Sequence, residues 1–123
     1  MFQIVFNETS AAELAALPKK LQLQIMGEFN VNPENLSDAG TYGRLKREGR
    51  QLYRYRAGDY RIYFEKNRDG LLVHRVVHKN TLKDFLYRSK LPVSEDQVLE
   101  ENPKFWDMIF GSGKKQQGPG TSS

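Results

Sequence analysis

Six arginines and one lysine crowd residues 44–61. Arg44, Lys46, Arg47, Arg50, Arg54, Arg56 and Arg61 stand against Glu48 and Asp59, a net +5. The whole chain of 123 residues carries +4, so the remainder is slightly acidic. A guanidinium fork grips phosphate oxygens in pairs. Neutralising phosphates also releases counterions, so concentrated positive charge suits a polyanion. A merely solvated basic face is the alternative that charge alone leaves open. Close to this segment stands His78, followed by Lys79. Histidine exchanges a proton near neutral pH without large perturbation. Cysteine is absent, which removes disulfides, thiolate metal sites and a cysteine nucleophile. That absence is compatible with a reducing cytoplasm, the location we expect. No spacing of His, Asp and Glu suggests a metal site, and no glycine-rich phosphate loop is present. Neither metal nor cofactor is expected.

These side chains need a scaffold, and the pattern around them supplies one. Residues 2–6 have high β-propensity and read as a short strand. Ser10 with Glu13 reads as a capping box. Leu14, Leu17, Leu21, Ile25 and Phe29 then form one apolar stripe at helical spacing. Pro18 interrupts the stripe, so two helical segments meet there. Residues 30–43 are rich in turn formers and read as a loop. Three strands follow, over 51–56, 60–66 and 71–78. Tight turns at 57–59 and 67–70 make them an antiparallel meander. Thr81 with Asp84 caps a helical turn through Leu86. Beyond Pro92, Ser94 and Gln97 cap a final acidic helix. From Gly111 onward the composition is that of a disordered tail. The expectation is an α+β domain over residues 1–110, followed by a tail over 111–123. Its antiparallel sheet has about four strands, with two N-terminal helices packed on one face and helical segments at the C-terminus. No apolar run approaches the roughly 20 residues of a membrane span. The N-terminus lacks the pattern of a secretory signal.

Strand alternation then decides which side chains share a face. Tyr60, Ile62 and Phe64 form the apolar set of the second meander strand, which turns Arg61, Tyr63 and Glu65 to the open side. Arg54 and Arg56 join them from the first strand, with Tyr53 and Tyr55 inward. In the third strand, Val73 and Val77 make the better core pair, so His74 and His78 are expected outward. Arg75 must then reach an edge or pair with an acid. Arg61 sits in the middle of an apolar strand, where a guanidinium is costly unless it meets an anion or a carboxylate.

The run Leu52-Tyr-Arg-Tyr-Arg-Ala-Gly-Asp-Tyr-Arg-Ile-Tyr-Phe-Glu65, followed by Val73-His-Arg-Val-Val-His-Lys79, resembles the core of RelE/ParE superfamily toxins. The resemblance spans residues 2–88 and includes Leu17-Pro-Lys19 of the helical hairpin. It implies a RelE-like fold and the toxin of a type II toxin–antitoxin system. In the RNase branch such a toxin is an endoribonuclease that cleaves mRNA, usually on the ribosome, and is silenced by a cognate antitoxin. DNA would be met only through a toxin–antitoxin complex. The resemblance maps Arg61 onto a scissile-phosphate ligand, Arg54 onto the basic position of the preceding strand, His78 and Lys79 onto the histidine–basic pair, and Tyr87 onto a C-terminal tyrosine. The chain departs from the family pattern at Lys79-Asn80, where two basic residues often follow the histidine, and in the longer spacing to Tyr87. Residues 92–110 have no counterpart in the pattern.

Cleavage without metal needs a base for the 2′-OH, cations for the phosphorane charge and an acid for the leaving oxygen. Arg54 and Arg61 suit the second task. His78 suits the first or third, completed by Tyr87 or Lys79. Arg44, Lys46, Arg47, Arg50, Arg56 and Lys83 would bind the RNA backbone. The same fold also serves non-enzymatic gyrase inhibitors and non-toxic binding domains. Residues 95–107 hold five acids against Lys104, a net −4. Their helix either lies across the arginine face and competes with RNA, or packs elsewhere through Phe105, Trp106, Ile109 and Phe110.

Overall fold

The computed structural model describes residues 3–29, 33–38, 40–86 and 94–117. Strand β1 (Gln3–Phe6) leads into helices α1 (Glu8–Ala15) and α2 (Lys19–Glu28). A 3₁₀ turn (Pro33–Ser37) then precedes four consecutive antiparallel strands: β2 (Tyr42–Arg47), β3 (Arg50–Ala57), β4 (Tyr60–Asn67) and β5 (Gly70–His78). After a second 3₁₀ turn (Lys79–Leu82) come, among the described residues, helices α3 (Lys83–Leu86), α4 (Glu95–Glu100) and α5 (Pro103–Gln117). β1 returns to pair in parallel with β5, giving the order β1-β5-β4-β3-β2. No helix among the described residues is long and apolar enough to cross a membrane.

The sheet has five strands where the sequence suggested about four. The additional strand is β2, at the outer edge, where the turn formers of residues 30–43 predict a loop reaching into its first two positions. Its exposed positions are charged, as edge strands commonly are. The turn that closes it is Glu48-Gly49, with φ of 52° and 81°. Two left-handed residues make the turn that fits a twisted hairpin, normally marked by Asn-Gly. Glutamate in the first position hides that signal.

Both faces of the sheet are covered. Ile25 of α2 and Phe29 at its C-cap pack with Leu36, Tyr42, Ile62, Phe64, Leu71, Val73 and Val76, and the rest of the predicted stripe closes over them. The opposite face, expected to be open, carries a second core. There Leu45, Leu52, Tyr63 and Val77 meet Leu82, Leu99, Phe105, Trp106 and Ile109. The acidic C-terminal region is two helices, broken at Asn102-Pro103. Ser94 caps α4 as its sequence suggests, its hydroxyl accepting from the Gln97 N–H at 3.1 Å. α5 continues to Gln117, past the boundary expected at Gly111.

Two local assignments change. The cap of α1 is Asn7, whose side chain accepts from the Ser10 N–H at 2.7 Å. Ser10 instead turns inward, and its hydroxyl donates to the Val73 carbonyl at 2.8 Å. Glu13, freed from a capping box, receives Arg75 through Nε at 2.8 Å and Nη2 at 2.6 Å, and the Val76 N–H at 2.8 Å. Arg75 thus both reaches the sheet edge and pairs with an acid. The second change is a β-bulge. Tyr63 pairs with Arg75 but Phe64 pairs with Val73, so His74 is the extra residue. An extra residue reverses the alternation beyond it. Val76 joins Val73 under α2, Val77 turns to the second core, and His78 is carried to the α1–α2 side of the sheet.

Candidate functional site

Arg54 pairs across the strands with Tyr63, and Arg56 with Arg61. The four side chains therefore share the face opposite α1 and α2, as alternation predicted. Arg54 and Arg61 are each 8% exposed, and Tyr63 is fully buried. What covers them is α4. Asp96 accepts from Arg54 Nε at 3.0 Å and Nη2 at 2.6 Å, a two-pronged grip. Glu95 accepts from Arg61 Nε at 3.1 Å. Arg61 Nη1 also donates to the carbonyls of Gly58 at 3.3 Å and Tyr60 at 3.4 Å. Glu100, at the far end of α4, accepts the Lys46 N–H at 2.8 Å and so caps the edge of β2.

The local sequence explains why α4 seats here. Successive acids at 95 and 96 occupy its first turn, where carboxylates are favoured by the helix dipole. Leu99 anchors the helix in the second core. The indole of Trp106 donates to the Glu100 carbonyl at 2.9 Å, fastening α4 to α5. Gly43 stands opposite Arg54 on β2. A Cβ there would collide with the Asp96 carboxylate and the Arg54 guanidinium, so glycine leaves the room in which that pair forms.

The electrostatics follow from burial. Desolvation, the largest single influence, would make the Arg54 guanidinium easier to deprotonate, but the Asp96 bond together with the nearby Asp96 and Glu95 charges outweighs it and raises the pKa. The Tyr63 phenol is pushed well above its ordinary range, first by burial and then by the nearby Glu95 and Asp96 carboxylates. It remains a neutral hydroxyl, and its oxygen is buried without a hydrogen-bond partner among the described residues. An unmet buried hydroxyl costs about 1–3 kcal/mol, which marks it as a position to explain.

The remaining predicted residues scatter. Arg56 is exposed on the same face, and Arg47 and Arg50 lie further along it. Arg50 is bonded to Glu65 at 2.7 and 3.1 Å and lies 3.7 Å over the Phe110 ring. Arg44 and Lys46 belong to the opposite alternation of β2. Lys79 pairs with Asp59 at 3.4 Å, and Lys83 is exposed on α3. Tyr87 lies outside the described residues. His78 is not brought to the arginines. Its ring packs edge-on against Tyr60 at 5.0 Å on the other face. Its Nδ1 accepts the Asn80 N–H at 3.0 Å. A backbone N–H can only donate, so Nδ1 is unprotonated there and the neutral ring carries its proton on Nε2. His74 does face the arginine side. It meets Glu65 at 2.9 Å and the Phe110 ring at 4.8 Å. Burial would raise the Glu65 pKa, but the bonds from His74 and Arg50 prevail and hold it at about 2. Sequence reasoning passed over Tyr63 as a site residue and Gly43 altogether. The signal for Tyr63 was its place in the same alternation as Arg61; Gly43 carries none without its neighbours.

Comparison with known proteins places the chain among toxins. Residues 4–82 match the family described as the ParE toxin of the type II toxin–antitoxin system parDE. Toxin RelE3 of Methanocaldococcus jannaschii is 26% identical over 85 residues, which cover 68% of this chain and 97% of that protein. The archaeal RelE–RelB complex from Pyrococcus horikoshii OT3 superposes with a TM-score of 0.52 at 19% identity, covering 63% of this chain and 94% of the matched one. That structure supports the fold.

Proposed function

The chain belongs to the ParE toxin family of type II toxin–antitoxin systems, and on that premise we propose that it is a metal-free endoribonuclease that cleaves mRNA on the ribosome and is neutralised by a cognate antitoxin. The observation that carries this reading is the pair Arg54 and Arg61. They lie on adjacent strands of one face, and each is engaged by a carboxylate. A site that grips two carboxylates side by side offers the same fork geometry to the oxygens of a phosphodiester. Fixed guanidinium groups there would stabilise the charge that grows on phosphorus oxygens during attack by the 2′-OH. Arg56 and Arg47 would extend the backbone track. The proton transfers fall to His78, completed by Lys79 or Tyr87; reaching His78 requires the RNA to pass round the end of the sheet at the β3–β4 turn, where Tyr60 pairs with His78. The location is the cytoplasm, where mRNA and ribosomes meet the toxin. The Pyrococcus neighbour is a RelE–RelB complex and the family is that of a toxin–antitoxin system, which supports an antitoxin partner here.

One observation favours a second reading, a non-enzymatic toxin that binds gyrase. His78 projects from the face opposite the arginines and is occupied as a helix cap. Inducible expression in bacteria separates the two. New mRNA 5′ ends within coding frames, lost in the Arg61→Ala protein at equal soluble expression, support the nuclease. Intact mRNA with gyrase-linked DNA breaks supports the second reading.

A further inference from the structure

We infer that α4 is an internal competitor for RNA, its Glu95 and Asp96 carboxylates standing in the positions a phosphodiester takes between Arg54 and Arg61. The inference rests on the RNA reading above and adds regulation to it. Both arginines of the pair are engaged, by two consecutive residues of one short helix. Beneath them lies the Tyr63 hydroxyl, fully buried and without a partner among the described residues, across the ladder from Arg54 and two residues from Arg61. A carboxylate-for-phosphate exchange that displaced α4 would give that hydroxyl an oxygen to donate to. The attachment of α4 is suited to such movement. Leu99 is its one fully buried residue, and the turn at Glu101-Asn102 separates it from α5. α5 has its own anchors, Phe105, Trp106 and Ile109, in the second core, so α4 leaves while α5 stays once the bonds of Glu100 to Trp106 and Lys46 break. Gly43 keeps space for the Asp96 grip rather than filling it with a side chain.

The test uses the full chain and a fluorescein-labelled single-stranded RNA, read by anisotropy. The Glu95→Gln/Asp96→Asn protein is expected to bind about tenfold or more tightly than the wild type, because an internally occupied site lowers apparent affinity by the fraction closed. Adding Arg54→Ala and Arg61→Ala should abolish the gain. Wild-type folding by circular dichroism with affinity unchanged overturns the inference. Since the neutralised helix leaves buried guanidinium groups without their partners, the wild type supplies a second measurement. Trp106 is the chain's one tryptophan and bonds the Glu100 carbonyl. RNA binding should shift its emission to longer wavelength as α4 departs. RNA bound with Trp106 emission unchanged also overturns the inference. RNA affinity that is indifferent to both arginines overturns the RNA reading of the site and the inference with it. Arginine-dependent binding without the gain or the emission change defeats the inference alone.

Discussion

Replacing Asp96 by alanine should destabilise this protein more than any ordinary surface substitution. The change leaves the Arg54 guanidinium with neither of its two bonds to Asp96, at 3.0 and 2.6 Å. The Arg54 side chain is 9% exposed and that of Asp96 18%. Removing one partner of a fully buried ion pair costs about 3–5 kcal/mol, because the other charge stays buried and uncompensated. The residual exposure admits some water, which sets the expectation below that range, at about 2–3 kcal/mol. For a domain of this length, at roughly 4–5 °C per kcal/mol, that is a fall in Tm of roughly 8–15 °C. The second arm is Arg54→Met/Asp96→Ala. An apolar replacement of both partners removes the stranded charge, so most of the loss should return, with a coupling of about 1–3 kcal/mol in the double-mutant cycle. Urea and thermal unfolding of wild type, both single variants and the double variant measure it. A coupling within about 0.5 kcal/mol of zero would refute the reasoning, since contacting residues in one network depart from additivity by more than that. The pair would then be screened by solvent, and α4 would not be seated on β2 and β3.

Phe105→Ala should cost about 3–5 kcal/mol by opening a cavity against Tyr63, whose ring lies 5.1 Å away; a loss below about 1 kcal/mol, read in urea, would remove α5 from the core. Glu65 has a folded-state pKa of about 2, depressed below its unfolded value near 4.3. Its contribution is therefore complete above that unfolded value and is lost as pH falls towards the folded one. The stability gap between wild type and Glu65→Gln should be level from pH 7 to about 5 and close between about pH 4 and pH 2; a gap that persists at the acid end contradicts the His74–Glu65–Arg50 network. His78→Ala should lower stability by about 1 kcal/mol through loss of the cap on Asn80. Its RNA affinity should stay within about twofold of wild type, since the ring lies on the face opposite the arginines and rim contacts add little. A large loss of affinity at intact folding would make His78 a main RNA contact and not a group that only carries protons.

Much of the fold was legible because its signals are local. The alternation in Tyr60 to Glu65 and Leu52 to Arg56 assigned the faces of β4 and β3 correctly, and placed Arg54 and Arg61 together. The helical stripe from Leu14 to Phe29 named the cover of one sheet face, and Pro18 the break within it. Ser94 marked the start of α4. These features depend on neighbours within a turn or a strand, whose steric and hydrogen-bonding preferences the sequence carries directly. Other features depended on partners far along the chain. Ser10 and Glu13 have the spacing of a capping box, yet the Val73 carbonyl and Arg75 compete for them and win. The bulge at His74 is a matter of register between β4 and β5, and one extra residue reversed every side chain after it, His78 included. β2 forms because β3 pairs with it, although its own residues read as loop and charge. The acidic segment and the basic segment were both visible in the sequence, with two possible relations between them. Only the packing of Leu99, Phe105, Trp106 and Ile109 on Leu45, Leu52, Tyr63 and Val77 sets Glu95 and Asp96 on the arginines. Hydrophobic burial is non-directional, so a stripe of apolar residues says that a helix will be buried but not on which face; that choice belongs to the tertiary structure.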